Sequence, residues 1–217
     1  HDSNPIKRGL GKLKDRSAKI VAINPVRTGY NSIADEWIGI RPGTDGLLVL
    51  SLVHILLKRK KIDLEYLQSF TNAPFLVNIS STDSNKGLFL KDKDGVPLVV
   101  DHLSGELKRF SDKGVKPSLT KSHSNQNGSF KTVFSLLTEK YLDDAYSPQL
   151  IAPQCGLKEE QILSLAEEIA STAFNKAIHI DQDWVDFRGE KRSGFIGRPV
   201  SFHAMRGISA HSNGFQT

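Results

Sequence analysis

Between Ile20 and Leu57 the chain carries an apolar run, an Asn-Pro turn, a second short apolar run, and a Pro-Gly-Thr-Asp turn opening a strongly apolar helix. This strand–turn–strand–turn–helix order constrains the fold more than any other stretch. Ala18–Ile23 is almost continuously apolar, as expected of a strand covered on both faces. Asn24-Pro25 ends it, because proline biases its predecessor away from the helical region. Trp37–Ile40 reads as a second strand. Thr44 or Asp45 then caps a helix that begins near Gly46 and is apolar nearly all round, hence buried, with a basic C-terminal end that complements its dipole. Free backbone N–H groups at such a helix start favour an anion, so the two turns form a candidate phosphate or nucleotide site.

The flanking segments supply the layers. Pro5–Arg16 is an amphipathic helix weakened by Gly9 and Gly11, each costing about 1 kcal/mol relative to Ala. Asp63 starts a short helix, DLEYLQSF. Residues 75–131 read as a surface excursion: a hairpin of Leu88–Lys91 and Val96–Asp101 around Asp92-Lys93-Asp94-Gly95, then a polar loop, poorly ordered around Lys121–Ser129. Val133–Asp144 is helical, and Ser147-Pro148 opens another helical turn. Leu157–Phe174 is the clearest amphipathic helix, with Ile162, Leu165, Ala166, Ile169 and Ala173 on one stripe. Ala177–Ile180 is a third strand, a polar loop containing Trp184 follows, and Val200–Ala204 is a fourth. This order predicts an α/β class: a mostly parallel, Rossmann-like sheet flanked by helices, with a hairpin and loop insertion. In such sheets ligands lie beyond the carboxyl ends of the strands, where Asn24–Thr28, Gly43–Asp45 and Arg206–His211 would converge.

Composition excludes several chemistries. A 38% hydrophobic, 24% charged chain of 217 residues with mean hydropathy −0.31 is of the ordinary globular class. Its net charge of +5 suits phosphates but is too diffuse to argue for nucleic acid. A single cysteine, Cys155, allows no internal disulfide and no all-cysteine metal site, and a small buried role suits it. His54 reads as a core histidine, and His102 and His123 as solvated. Glu159, Glu160, Glu167 and Glu168 make a polar helix face rather than an acid–base pair. No apolar run approaches the ~20 residues of a membrane span. No G-x-G-x-x-G, Walker A or G-x-S-x-G pattern is present. The chain starts at His1 and ends in HSNGFQT, and it reads as a piece of a longer protein truncated at both ends.

INPVRTGYNSIADEWIGIRPGTDGLLVLSLVHILL resembles a segment of the molybdopterin oxidoreductases of the dimethyl sulfoxide reductase family. There an Asp/Asn-Pro turn carrying Arg and Thr is followed by A-D and then R-P-G-T-D before a long helix. YSPQLIAPQCGLKEEQILSLAEEIA is similar to the family's next helix pair, and VSFHAMRGISAHSNGFQT to the strand and glycine turn after it. The resemblance implies part of the molybdopterin guanine dinucleotide-binding region of a larger catalytic subunit. Asn24, Pro25, Val26, Arg27 and Thr28, with Gly43, Thr44 and Asp45, would bind the guanosine end of a molybdenum bis(molybdopterin guanine dinucleotide). Asn24 stands where the family often has aspartate. Gly207 would approach the pterin, and Arg206 and His211 would face substrate in catalytic roles.

The same resemblance places the metal ligand and an iron–sulfur cluster upstream, so Cys155 is no molybdenum ligand. It implies two-electron transfer, an iron–sulfur electron-transfer partner subunit, a membrane anchor subunit and a prokaryotic enzyme; the compartment stays open, with the cytoplasmic side of the membrane preferred to the periplasm. The sulfur-oxyanion branch (sulfite, thiosulfate or polysulfide) is nearest. A formate- or nitrate-type enzyme, and a non-catalytic nucleotide-binding module without the metal, stay open.

Overall fold

A computed structural model describes residues 4–27, 29–80, 84–126 and 128–204. The described residues fall into two compact units. One lies within His1–Ile55, Asp144–Ala166 and Phe202–Thr217, the other within Leu56–Asp143 and Glu167–Ser201.

In the first unit, helix α1 (Asn4–Asp15) precedes β1 (Val21–Ile23), which pairs in parallel with β2 (Glu36–Ile38). Helix α2 (Asp45–Lys58) starts here, its Gly46, Leu48, Ser51, Leu52, His54 and Ile55 buried. His54 is thus a core residue, whereas Val49 faces solvent, so the helix is buried on one side rather than all round. Helix α5 (Pro148–Cys155) carries proline at its first turn and ends on Gly156 in the left-handed region (φ 71°), the conformation glycine adopts without a Cβ penalty. The start of α6 (Glu159–Asn175) adds Ile162, Leu165 and Ala166, the stripe expected from its periodicity. With Ile38, Ile40, Leu48, Leu52, Ile151 and Cys155 these make the buried apolar set.

The second unit begins with α3 (Leu64–Phe70), whose cap Asp63 accepts from Tyr66 N at 3.0 Å. Strands β3 (Leu76–Asn78), β6 (His123–Asn125) and β7 (Gly128–Thr132) form an antiparallel sheet in the order β3-β7-β6. Strands β4 (Leu98–Val100) and β5 (Leu107–Arg109) pair antiparallel beside it. Leu76, Val100 and Phe130 are buried together, with Leu90 and Leu107 against them. Thr132 ends β7 and caps α4 (Val133–Tyr141), its hydroxyl accepting from Ser135 N at 3.0 Å. Finally β8 (Ile178–Val185) and β9 (Lys191–Gly197) form an antiparallel hairpin.

These pairings correct the expected topology. The fold is mixed α/β, but β1–β2 is the one parallel pair among the described residues, and every other pairing is antiparallel. The reason is connection length: a parallel pair needs a crossover of a dozen or more residues, whereas tight turns join β6 to β7 and β8 to β9. The Lys121–Ser129 stretch therefore holds a strand pairing where a poorly ordered loop was expected, with Asn127 outside the described residues. The expected polar loop after Ile180 is the body of the β8–β9 hairpin, and Val200–Ala204 forms no strand. Strand β1 is three residues long and only half covered, with Ile23 exposed, not a strand buried on both faces.

The Asp92–Gly95 turn forms as read. Asp92 Oδ1 accepts from Asp94 N (2.9 Å) and Val96 N (2.8 Å), and Gly95 sits at φ 81°. Asp186–Gly189 repeats it: Asp186 Oδ1 accepts from Arg188 N (2.9 Å) and Glu190 N (3.0 Å), with Gly189 at φ 75°. The two share the D-x-x-G pattern in sequence.

Candidate functional site

The parallel register Val21↔Glu36, Ala22↔Trp37, Ile23↔Ile38 sends both strands out of the same edge of the first unit. The segments that follow them, Asn24–Arg27 and Ile40–Asp45, therefore leave from neighbouring points, as required for a site at strand C-termini.

The first turn is held by its own side chains. Asn24 N continues the ladder to Ile38 O at 3.1 Å, and Asn24 Oδ1 accepts from Val26 N at 3.3 Å, closing an Asx turn around Pro25. Buried Asn31 donates to Val26 O at 2.7 Å from the short helix that follows. Trp37 reaches across from β2, its indole N–H donating to Asn24 O at 3.0 Å. The Arg27 guanidinium lies over that ring, 6.0 Å from its centroid. Gly39 makes room for the indole, since a Cβ there would come within 2.8 Å of two ring carbons.

The second turn is tied to α5. Arg41 N donates to Cys155 O at 2.9 Å, and Arg41 Nη1 lies 3.5 Å from Gln154 O. A cation at the carbonyl end of a helix complements its dipole. Gly156 leaves space for the Arg41 side chain, whose Cγ would be 3.2 Å from a Cβ. Thr44 closes the turn by donating its hydroxyl to Arg41 O at 2.7 Å, while its own carbonyl accepts the first helical bond from Leu48 N at 3.1 Å. So Thr44 occupies the cap position, but its hydroxyl turns back into the loop. Gly43 sits at φ 81° with no heavy atom within 4 Å of where a Cβ would be, so the turn faces open space. Cys155 is fully buried, its thiol 3.7 Å from Thr44 O, and burial pushes its pKa up. An inert structural thiol results.

Chemically, this edge offers two exposed guanidiniums, Arg27 and Arg41, and the Asp45 carboxylate on the first residue of α2. Cations suit phosphates, a carboxylate can accept paired N–H donors from a base edge, and an open glycine turn lets a ligand approach the backbone. That donor set fits a nucleotide end bearing both phosphates and base. Of the residues expected here, Asn24, Pro25, Val26, Arg27, Gly43, Thr44 and Asp45 are brought to one edge, while Thr28, Arg206, Gly207 and His211 lie outside the described residues. Sequence reasoning passed over Trp37, Asn31, Gly39 and Arg41, which shape the two turns. Only the bulk of Trp37 beside a glycine hinted at it. Among the described residues, no three His, Cys, Asp or Glu side chains group as metal ligands, and no helix is long and apolar enough to cross a membrane.

No protein-family model matches the chain. A sulfite dehydrogenase subunit of Allochromatium vinosum is 35% identical to it over 235 residues, covering 100% of this chain and 23% of its own. The formate dehydrogenase major subunit of Haemophilus influenzae is 29% identical over 75% of this chain and 15% of its own. The nitrate reductase alpha chain of Bacillus subtilis is 32% identical over 39% of this chain and 8% of its own. The chain thus spans less than a quarter of the length of these relatives.

Proposed function

Because the chain belongs to the molybdopterin oxidoreductases, as a segment of the kind found in their catalytic subunits, we propose that it forms one wall of the site for a molybdopterin guanine dinucleotide. The full protein would be a molybdenum-dependent oxidoreductase acting on a sulfur oxyanion. The observation that carries this reading is the 35% identity to a sulfite dehydrogenase subunit along the entire chain, a breadth the formate and nitrate relatives do not match.

Bound molybdenum bis(molybdopterin guanine dinucleotide) would supply the two-electron chemistry, with the protein contributing orientation and electrostatics. This chain's residues have a simpler task. Asn24–Arg27 would line one side of the guanosine site, with Thr28 next in sequence, and Gly43, Thr44 and Asp45 the other. Asp45 accepts from the guanine edge, Arg27 and Arg41 balance phosphate charge, and the Trp37 bond to Asn24 O keeps the first turn in place. By the family resemblance Gly207 would approach the pterin, and Arg206 and His211 would serve the substrate end, with Arg206 suited to an oxyanion. The metal ligand and an iron–sulfur cluster belong to other parts of the polypeptide. Electrons would be exchanged with an iron–sulfur partner subunit, and a membrane anchor subunit would hold the complex on a prokaryotic membrane, its cytoplasmic side preferred.

The test is metal and pterin analysis of the full-length enzyme, with turnover assays on sulfite, thiosulfate, polysulfide, nitrate and formate. Molybdenum and guanine dinucleotide in the purified enzyme and turnover of a sulfur oxyanion are expected. Their absence refutes the reading in favour of a non-catalytic module, and turnover of formate or nitrate alone reassigns the substrate. Asp45→Ala should lower guanine dinucleotide content, and Arg206→Ala should lower turnover with cofactor content intact.

A further inference from the structure

An α-helix leaves its last four carbonyls without partners inside the helix. In α5 these belong to Ala152, Pro153, Gln154 and Cys155, and two different parts of the chain satisfy them. The turn after the helix serves the first two, Gly156 N donating to Pro153 O at 3.3 Å and Leu157 N to Ala152 O at 2.9 Å. Arg41 serves the other two: its backbone N donates to Cys155 O at 2.9 Å, and its Nη1 stands 3.5 Å from Gln154 O. Arg41 therefore caps a helix 113 residues away, and the helix end is in turn the seat of Arg41.

The seat depends on Gly156. A Cβ there would stand 3.2 Å from Arg41 Cγ and 3.3 Å from Nε, tighter than ordinary van der Waals contact. The φ of 71° by itself asks only for glycine or asparagine; room for the stem is a separate requirement that asparagine does not meet. The head of the side chain is little used. Arg41 is exposed and pairs with no carboxylate among the described residues, and its guanidinium makes one long hydrogen bond, so most of its five N–H donors face solvent. Asp45 stands nearby. Burial raises the Cys155 pKa, the Asp45 charge adds to that rise and the Arg41 charge opposes it, so both charges lie close to one thiol. An arginine with its stem packed and its fork open loses little freedom on meeting an anion, and such preorganisation raises affinity.

We propose that Gly156 is a positioning residue of the nucleotide site: by leaving room for the Arg41 stem it holds that guanidinium on the C-terminal turn of α5, ready for a phosphate of the dinucleotide. The proposal rests on the guanine dinucleotide reading of this edge, and adds to it a residue that touches no ligand.

The test is the rate at which purified full-length enzyme releases its guanine dinucleotide in mild urea, followed by pterin fluorescence in the filtrate. The urea midpoint of the same protein is measured beside it by far-UV circular dichroism. Gly156→Asn tolerates the backbone conformation and adds the Cβ. It should release the dinucleotide about tenfold faster, the change expected from losing one charge-assisted hydrogen bond, with a midpoint close to the parent's. Arg41→Ala should release as fast, and the double variant no faster than Arg41→Ala. Release from Gly156→Asn at the parental rate overturns the proposal. So does a further rise in the double variant, which means that Gly156 acts by another route, or release that rises only in step with a falling midpoint, which is general loosening. If Gly156→Asn fails to fold, the double variant lacks the obstructed stem and should fold and release like Arg41→Ala; its failure to do so also counts against the proposal. A parent enzyme without guanine dinucleotide sinks the proposed function and this inference together, whereas a loaded parent with an indifferent Gly156 sinks this inference alone.

Discussion

Gly39→Ala is the sharpest probe of how the two turns are held together. Gly39 has an ordinary backbone conformation, so alanine there strains nothing by itself. The methyl would instead meet two Trp37 indole carbons at 2.8 Å. Overpacking of this kind costs ~1–3 kcal/mol, while reduced freedom of the unfolded chain returns ~0.4–1 kcal/mol. If the indole swings away, it gives up its 3.0 Å bond to Asn24 O, a loss of ~0.5–1.5 kcal/mol. The overpacked route leaves a net destabilisation of about 1 kcal/mol, or ~2–4 °C in Tm for a chain of this size, and the swung-out route a few tenths of a kcal/mol. Trp37→Leu removes the obstacle, and in that background Gly39→Ala should be neutral or slightly stabilising. Urea unfolding followed by far-UV circular dichroism on the parent, both single variants and the double variant gives the coupling, expected at ~1–2 kcal/mol. Equal losses from Gly39→Ala with and without the indole would refute the proposed packing.

Gly43→Ala should cost ~1–2 kcal/mol from backbone conformation alone, because φ is 81° and the space around it is open; Gly43→Asn should recover part of that in the same unfolding assay, and full tolerance of alanine would contradict the turn. Buried Asp101 accepts from Lys108 Nζ (2.9 Å), Lys116 N (3.1 Å) and Ser104 Oγ (2.9 Å), chiefly the lysine holding its carboxyl well below the usual 3.8 against the opposing effect of burial. A depressed native pKa stabilises above the unfolded value and is lost as pH falls through the native one, so urea midpoints should drop below about pH 4 and drop less steeply in Asp101→Asn. Native protein treated with iodoacetamide at pH 8 should show Cys155 unmodified by peptide mapping until denaturant is added, and rapid native labelling would contradict its burial.

Helices were the legible part of the fold. Amphipathic spacing placed α1 and α6, Asp63 announced α3, and Ser147-Pro148 opened α5, all through interactions within a few residues of chain. The D-x-x-G turn was readable at Asp92 and equally present at Asp186, but there the strands leading into it have exposed, mixed-polarity faces and show no alternation. Period-2 patterning records burial, and a ribbon with an open face leaves little of it. The mostly parallel sheet was misjudged for a related reason: short runs such as Leu98–Val100 carry no mark of whether a neighbour runs parallel or antiparallel.

At the candidate site the division is the same. The sequence by itself determined the two turns, because Asn24, Pro25, Gly43 and Thr44 act on their own backbone through φ restriction and hydrogen bonds two or three residues long. Only the tertiary structure decided that the turns share an edge, through the parallel β1–β2 register and the Trp37 indole on Asn24 O. It also decided that Arg41 is anchored on α5, a contact made 113 residues away along the chain. Local bonds are encoded where they act, whereas contacts across such separations exist only once the packed elements between them have fixed the distance.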